Sequence, residues 1–491
     1  MRNWTREEIQ RIGYQVVDLI AEHITGLPDE PVFRPVPLAL QERFESTPPP
    51  ASGAAPDEIL REFCDAIEPF PFGNGHPRFW GWVNSPPAVM GIFADALAAA
   101  MNPSCAGGNH AAIYVEREVA SWFRQILGLP REAKGLLVSG GSMATLTALG
   151  VARHVKSGVD VRTDGLRDAT RSYAFYLSSE SHGCVRKAIE LLGFGSGAIR
   201  TIETDADYRM NVAALDEAIA DDRARHITPI AVIASAGTTN TGAIDDIDAL
   251  AAICRRHDAW LHVDAAYGGP AILSEQYAAR LAGLAAADSV ALDPHKWLFV
   301  PVEAGMVFVR DAEAMRSAFS LVPPYLRTDG STSGVGGPVW FSEFGFQQTR
   351  GFRALKVWMT MKEFGLAGYR TAIEENIALA AYLADRVRSS ADLELTAPPG
   401  LSVVCFRLCD QSSDTEEKIA AFNRAVLERL QLGGTAFLSS TELRGRFTLR
   451  ACIVNYRSTR DDVDRMLGAV RAIGAELQSP GRHASPSLEP S

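Results

Sequence analysis

The chain has 491 residues, enough for two or three packed units with a large buried core. Apolar residues make up 47% and charged residues 22%, which is ordinary globular usage and excludes a disordered, collagen-like or coiled-coil chain. With 48 Lys and Arg against 59 Asp and Glu, the formal net charge is −11. This balance argues against a nucleic-acid or membrane surface and favours a small-molecule partner.

The cysteines and the N-terminus indicate where the protein resides. The seven cysteines are an odd number without a CxxC pair, so neither a disulfide framework nor a zinc site is predicted. The N-terminus becomes charged at once instead of presenting an apolar signal core, and no apolar run reaches the roughly 18 to 20 residues of a membrane span. We therefore expect a cytoplasmic protein without a membrane segment or a metal.

The first predicted element is an amphipathic helix. Thr5 and Glu8 form a capping box, and apolar residues recur at helical spacing as far as Ile24. Proline-rich stretches at 28–40 and 46–56 then predict an extended arm, because proline lacks the amide hydrogen that a helix needs. At the other end, only the tail after about Gln478 has the composition of a disordered segment.

Between about residues 86 and 310, helical patterns alternate with short apolar runs. The runs are GLLVS, SYAFYLS, IAVIASAG, WLHVDAA, SVALD and AGMVFV. Apolar strands separated by crossover helices predict an α/β fold with a mostly parallel sheet flanked by helices. The remaining pattern predicts a smaller α+β domain. The predicted segments are 1–85 (N-terminal helical arm), 86–360 (large α/β domain), 361–478 (small C-terminal α+β domain) and 479–491 (disordered tail).

Three segments that follow predicted strands carry candidate chemistry, since ligands bind beyond the carboxyl ends of parallel strands. Gly141 and Ser142 lie in SGGS at the start of a helix, which is either an anion cradle or a capped tight turn. Asp264 ends a buried strand and is either a helix cap or the partner of a buried cation. Lys296 in DPHKW is flanked by apolar residues, so it is either an ordinary ion-pair lysine or a nucleophile whose pKa burial lowers.

Together the three segments supply what pyridoxal phosphate requires: an anion site, a carboxylate for the ring nitrogen and an amine for the aldehyde. With HVDAAYGG and DPHKW, the chain resembles the group II pyridoxal-phosphate-dependent amino acid decarboxylases, and among them the aromatic-L-amino-acid decarboxylases, from about residue 5 to 475. The resemblance implies the fold-type I, aspartate aminotransferase-like scaffold and pyridoxal 5′-phosphate as cofactor. It also implies decarboxylation of an L-amino acid, most simply an aromatic one, to an amine and carbon dioxide.

The resemblance also implies roles for individual residues around the cofactor. Lys296 would hold it as the internal aldimine, and Asp264 would keep its ring nitrogen protonated. His182 would stack on the ring, with a surface histidine as the alternative. The remaining implied contacts are Gly141, Ser142 and His295 at the phosphate, Thr239 near the cofactor and Ala266 against the ring face. One departure concerns Asp293, which stands where many relatives carry a phosphate-binding Asn; we expect its carboxylate to point away from the phosphate.

Four further residues concern the reaction and the substrate. Tyr325 matches a mobile-loop tyrosine that protonates the substrate carbon, and the Gly- and Ser-rich segment after it is typical of a closing lid. Arg450 and Arg350 match arginines near the substrate, although either could be a structural ion-pair residue. Trp82 would present an aromatic wall to the substrate side chain, or it could belong to the core.

Other functions remain as alternatives. Enzymes on the same scaffold include glutamate and 2,4-diaminobutyrate decarboxylases, an aromatic aldehyde synthase, aminotransferases and carbon–sulfur lyases; tyrosine rather than phenylalanine at position 325 argues against the aldehyde synthase. A dinucleotide-dependent oxidoreductase is disfavoured, because Gly193, Gly195 and Gly197 do not form a GxGxxG turn after the first strand. Members of the resembling family are homodimers with the active site at the interface, which would give the N-terminal helix and arm a surface to cover.

Overall fold

The structure is a computed structural model that describes residues 3–167, 170–321, 334–409 and 415–478. The described residues form two compact units, one from those within 83–381 and 397–404, the other from those within 3–82, 382–396 and 405–478. The segments predicted as an N-terminal arm and as a C-terminal domain therefore contribute to one compact unit. The predicted boundaries after residues 85 and 360 stay a prediction, and the predicted tail 479–491 lies outside the described residues.

The strands of the described chain, in order, are β1 (Phe79–Trp80), β2 (Lys134–Val138), β3 (Ser172–Ser178), β4 (Ile199–Ile202), β5 (Ile227–Ser235), β6 (Trp260–Asp264), β7 (Ser289–Leu292), β8 (Gly305–Val309), β9 (Leu393–Leu395), β10 (Val403–Leu408), β11 (Phe437–Leu443) and β12 (Arg446–Cys452).

The α-helices are α1 (Arg6–Gly26), α2 (Leu38–Ser46), α3 (Pro56–Ala66), α4 (Val89–Met101), α5 (Ala111–Ile126), α6 (Gly141–Lys156), α7 (Gly183–Leu191), α8 (Val212–Ala224), α9 (Ile247–Arg256), α10 (Ala278–Leu281), α11 (Ala312–Phe319), α12 (Arg353–Arg388), α13 (Glu416–Leu432) and α14 (Arg460–Gln478). Among the described residues, no helix combines the length and the apolarity needed to cross a bilayer.

The larger sheet has seven strands in the order β2-β8-β7-β6-β5-β3-β4. All pairs from β7 to β4 are parallel, whereas β8 runs antiparallel to both β2 and β7. Apart from the edge strand β4, the strands are mostly buried, as expected for a sheet covered by helices on both faces. The predicted α/β fold with a mostly parallel sheet is confirmed, and its six predicted strands correspond to β2, β3 and β5 to β8.

The smaller sheet has five strands in the order β1-β11-β12-β10-β9. The β11–β12 and β10–β9 pairs are antiparallel, whereas β1 pairs in parallel with β11. The two residues of β1 come from the N-terminal part of the chain, and the other four strands come from beyond residue 390. The N-terminal segment thus supplies an edge strand to the predicted α+β region.

The N-terminal region matches the prediction at α1 and departs from it afterwards. The Thr5 hydroxyl accepts from the Glu8 amide at 3.2 Å, and the Glu8 carboxylate accepts from the Thr5 amide at 2.9 Å, which completes the capping box. The predicted arm is extended only in part, because α2 forms within it. The sequence of α2, LALQERFES, contains no proline. Pro37 precedes the helix, so it does not interrupt the backbone hydrogen bonds within it.

Candidate active site

A cavity of about 380 Å³ lies where strands of the larger sheet end. Its lining includes residues that follow β2, β3, β5, β6 and β7, the edge at which parallel sheets bind ligands. Eight predicted site residues line this cavity together: Gly141, Ser142, His182, Thr239, Asp264, Ala266, His295 and Lys296. Among the described residues, no group of His, Cys, Asp and Glu side chains is arranged to hold a metal ion.

The turn from β2 into α6 has the form of an anion cradle. The first amides of a helix have no intrahelical acceptor and favour a negative charge, and here they lie at Gly141 and Ser142 on the cavity wall. A Cβ atom at Gly141 would lie 3.2 Å from the Ala266 Cβ and would narrow the cavity. Behind the turn, a Cβ at Gly305 on β8 would lie 2.4 Å from the Gly140 Cα, so the two backbones pack directly against each other.

Lys296 forms an ion pair with Asp293 inside the cavity. Its Nζ lies 3.1 Å from Asp293 Oδ2, and the side chains are 24% and 3% exposed, respectively. Burial alone would lower the pKa of Lys296, but the carboxylates of Asp293 and Asp264 outweigh it and raise that pKa above its usual value. Of the two alternatives for Lys296, the structure therefore shows the ion-pair lysine and not the lowered pKa. The expectation that Asp293 points elsewhere is also wrong, because it lines the cavity.

Asp264 stands at the end of β6, with its carboxylate turned towards the cavity. Its Oδ1 accepts a hydrogen bond from the Ala266 amide at 3.1 Å, which fixes the carboxylate beside the small side chain of Ala266. The backbone of Ala266 is held in turn, since its carbonyl accepts from the Asp293 amide at 3.3 Å. A carboxylate held in this way can pair with a protonated ring nitrogen.

His182 precedes α7 and caps it. The His182 Nδ1 accepts a hydrogen bond from the Cys184 amide at 3.2 Å, so in the neutral ring the proton is on Nε2. The ring is exposed on the cavity side, where it can stack on a planar ligand. Cys184 also lines the cavity, a residue that the sequence analysis did not single out. Burial, with a contribution from Asp264, raises the pKa of the Cys184 thiol to about 11 and keeps it protonated.

The segment after β5 brings Thr239 to the cavity through a glycine turn. Gly237 has φ of +103°, and a Cβ there would lie 3.1 Å from the ring of Tyr267, so both conformation and space require glycine. Tyr267 stacks on Trp297 with ring centroids 5.3 Å apart, and its hydroxyl lies 2.6 Å from the Ser402 hydroxyl. These contacts make a rigid wall, although Tyr267 was not among the predicted site residues.

His295 is anchored in the lining of the cavity. Its Nδ1 lies 2.8 Å from the Ala304 carbonyl oxygen, and its Nε2 lies 3.7 Å from Asp293 Oδ2. Burial lowers the pKa of His295, partly offset by the Asp293 charge. Glu303, at the mouth of the cavity, pairs with Arg353 at 2.8 Å. No pattern in the sequence marked Glu303, because it reaches the site from a loop between two strands.

Residues 39–409 match the model of the pyridoxal-dependent decarboxylase conserved domain. The chain belongs to this family. It is 36% identical over 473 residues to an aromatic-L-amino-acid decarboxylase of Bacillus atrophaeus, which covers 96% of each chain. It is 34% identical to an L-2,4-diaminobutyrate decarboxylase of Rhizobium meliloti (strain 1021), over 84% of this chain and 80% of the relative.

A crystal structure of Oryza sativa TDC with PLP and tryptamine superposes with a TM-score of 0.90 at 28% identity, covering 98% of this chain and 100% of that one. The protein is thus a fold-type I, pyridoxal-phosphate-dependent amino acid decarboxylase, a carboxy-lyase. The cavity fits that cofactor. It offers a helix start where only glycine leaves room, a lysine amine and a separate carboxylate, which are the three groups that the phosphate, aldehyde and ring nitrogen need.

Arg350 of the decarboxylase is not part of the cavity lining. Its side chain is 2% exposed and forms an ion pair with Glu116, which is 1% exposed. The guanidinium also donates to the Cys105 carbonyl at 2.9 Å and to the Leu137 carbonyl at 2.6 Å. This geometry favours the structural alternative for Arg350 over a contact with substrate.

Trp82 and Arg450 of the decarboxylase lie next to each other in the other compact unit. The Arg450 Nη1 donates to the Trp82 carbonyl at 2.8 Å and to the Ser439 hydroxyl at 3.2 Å. Trp82 is 45% exposed, adopts a left-handed φ of 48° and stacks on Phe72 with centroids 5.1 Å apart. Trp82 is therefore a surface aromatic fixed by its backbone, not a core residue. Tyr325 lies outside the described residues.

Proposed function

We propose that the decarboxylase acts on an L-amino acid with an aromatic side chain and releases the corresponding amine and carbon dioxide. The observation that carries the proposal is Trp82. A half-exposed indole held in a left-handed conformation is strained, and such strain persists where function requires it. Stacking on Phe72 leaves it oriented to receive another aromatic ring. The identity to the Bacillus atrophaeus aromatic-L-amino-acid decarboxylase supports the same substrate class.

The roles of the cavity residues in this proposal follow from their chemistry. When bound, pyridoxal phosphate supplies a ring that accepts the electron pair released as the bond from Cα to the carboxylate breaks. Asp264 would hold a proton at the ring nitrogen, and Lys296 would bind the group through its amine. The other contacts would be His182 and Ala266 on the two ring faces, Thr239 beside the ring, and Gly141, Ser142 and His295 at the phosphate.

Two residues would handle the substrate itself. Arg450 is buried and held by the Trp82 carbonyl and the Ser439 hydroxyl, a geometry in which a guanidinium can orient a carboxylate. Tyr325 would deliver a proton to Cα after carbon dioxide leaves, a role that rests on the sequence resemblance alone.

The proposed assembly is a homodimer in the cytoplasm. No residue of α1 is buried, and Ile9, Tyr14 and Val17 are all exposed along it, so the helix has an apolar face that a second copy would cover. The active site would then lie at the interface. All seven cysteines are free thiols, which suits a reducing compartment. The acidic net charge disfavours nucleic acid as a partner.

The test is a substrate panel with amine and carbon dioxide measured for each member. L-tryptophan, L-tyrosine and L-phenylalanine should yield amine, whereas L-glutamate and L-2,4-diaminobutyrate should not. Trp82→Ala should raise the KM for the aromatic substrates about tenfold, as expected for loss of one stacking contact. Phe44→Ala on α2 removes another exposed aromatic and should leave the KM unchanged.

Two alternatives have their own outcomes in the same panel. Amine from L-2,4-diaminobutyrate alone would favour the activity named for the Rhizobium meliloti relative and would refute the aromatic assignment. Aldehyde instead of amine from an aromatic substrate would identify an aldehyde synthase.

A further inference from the structure

One oxygen of the Asp293 carboxyl takes no part in the ion pair with Lys296. Oδ2 binds the lysine amine at 3.1 Å, whereas Oδ1 is buried and has no hydrogen-bond partner among the described residues. A buried polar atom without a partner is costly, and in native proteins such an atom is normally satisfied by a ligand or by water. Asp293 therefore has a free binding position inside the cofactor cavity.

That position faces the anion cradle. A Cβ at Gly141 would lie 3.0 Å from Asp293 Oδ2, and a Cβ at Gly140 would lie 4.0 Å from Oδ1. The carboxyl thus lies directly against the first turn of α6, where the phosphate of the cofactor is proposed to bind. Two anions in van der Waals contact in a buried site repel each other strongly unless a proton or a cation lies between them.

The only cation that contacts Asp293 within the described residues is Lys296, and its amine becomes bonded to the cofactor when the cofactor binds. Once the Lys296 nitrogen is bonded to the aldehyde carbon, it is no longer a free ammonium group, and any positive charge that it keeps is shared with the cofactor rather than paired with the Asp293 carboxylate. The neighbouring ionisable groups do not replace it. His295 is held neutral because burial lowers its pKa, Asp264 is an acid, Cys184 is a protonated thiol, and Lys356 is paired with Asp95 at 3.1 Å.

We propose that Asp293 binds the cofactor phosphate as a neutral carboxylic acid, with the proton shared between its carboxyl and a phosphate oxygen. The inference rests on the proposed placement of the phosphate at Gly141 and Ser142. On loading, the Lys296 nitrogen replaces the aldehyde oxygen, which leaves as water, and the Asp293 carboxylate takes up one proton from solvent. Loading therefore consumes one proton more than it would without an acid at position 293.

The experiment compares the full-length wild type with Asp293→Asn, stripped of cofactor and titrated with pyridoxal phosphate between about pH 6 and pH 9. Asn can donate the same hydrogen bond but does not titrate. The ratio of the wild-type to the variant dissociation constant should rise about tenfold per pH unit while loading takes up one proton, and it should level off at alkaline pH, where the bound carboxyl ionises. Calorimetry in two buffers of different ionisation enthalpy should show about one additional proton taken up by the wild type. A ratio independent of pH, with equal proton counts, would overturn the inference.

Two controls separate this inference from the placement of the phosphate. Ser142→Ala should weaken binding of pyridoxal phosphate but not of pyridoxal, which lacks the phosphate; equal weakening of both would refute the placement itself. With pyridoxal as the probe, the ratio for Asp293→Asn should no longer rise with pH. If it rises equally, the proton is not shared with the phosphate.

A measurement on the wild type alone keeps the inference testable if Asp293→Asn does not fold. The infrared difference spectrum between the loaded and the stripped protein should gain the carbonyl stretch of a protonated carboxylic acid. Absence of that band at neutral pH would overturn the proposal.

Discussion

Replacing Arg350 by methionine tests whether this residue stabilises the fold or binds substrate. The guanidinium is 2% exposed and pairs with the buried carboxylate of Glu116, and it also donates to two backbone carbonyls. Removing one partner of a buried pair leaves an uncompensated charge and costs about 3–5 kcal/mol of unfolding free energy. Methionine retains most of the volume, so the loss reports the charge and the hydrogen bonds rather than a cavity.

The measurement is denaturant unfolding followed by circular dichroism, together with the KM for an accepted substrate below the transition. Arg465→Met is the matched control, because Arg465 and its partner Asp461 on α14 are 62% and 69% exposed, and exposed pairs contribute at most about 1 kcal/mol. Adding Glu116→Gln to Arg350→Met should recover part of the lost stability, since no buried charge then remains. Unchanged stability with a KM raised tenfold or more would refute the structural role and would indicate that Arg350 binds the substrate.

Three further predictions concern the cofactor, the product and pH. Gly141→Ala should weaken pyridoxal phosphate binding in an absorbance titration, because the added Cβ would lie 3.0 Å from Asp293 Oδ2 and 3.2 Å from the Ala266 Cβ. Tyr325→Phe should retain cofactor absorbance but shift the product in air from amine towards aldehyde; an unchanged amine yield would remove its proposed role. Burial lowers the pKa of His76 to about 4 in the folded protein. As the pH falls from about 6.5 towards 4, His76 is therefore protonated in the unfolded chain but not in the folded one, and the free energy of unfolding should decrease. In denaturant unfolding, His76→Gln should reduce that fall by up to about 3 kcal/mol.

Sequence patterns predicted the longer apolar strands and missed the short strands β1, β4 and β9. The runs of β5 and β6 are continuous apolar segments, which only a covered sheet explains. In contrast, β4 reads IRTI and is mostly half exposed at the edge of the sheet, so its composition resembles that of a connecting segment. The nine residues of α2 overlap the ends of two proline-rich stretches, and the prolines on either side led to the prediction of an extended arm there.

The residues that line the cavity together were predictable because each follows or ends a strand, and the sheet brings strand ends together. The orientation of Asp293 was not, because it depends on a tight turn. The Lys296 amide donates to the Asp293 carbonyl at 3.0 Å, and this turn aims the two side chains, three residues apart, at the same point. For Arg350 the sequence offered two readings. Its partner Glu116 lies on α5, far away in the chain, and no local pattern could select between them.

The order of strands in the larger sheet determines when that sheet can be completed during synthesis of this enzyme. Strand β2 is the first of its sheet to leave the ribosome, yet its one partner within the sheet is β8, the last. The turn that follows β2 is backed by Gly305 of β8, so a nascent chain ending before that residue lacks part of the proposed phosphate site. Pairing β2 with β8 closes a long loop, which is slow, and until the two strands pair β2 remains accessible to chaperones. Cofactor retention by stalled chains should therefore begin abruptly, once β8 has emerged and paired.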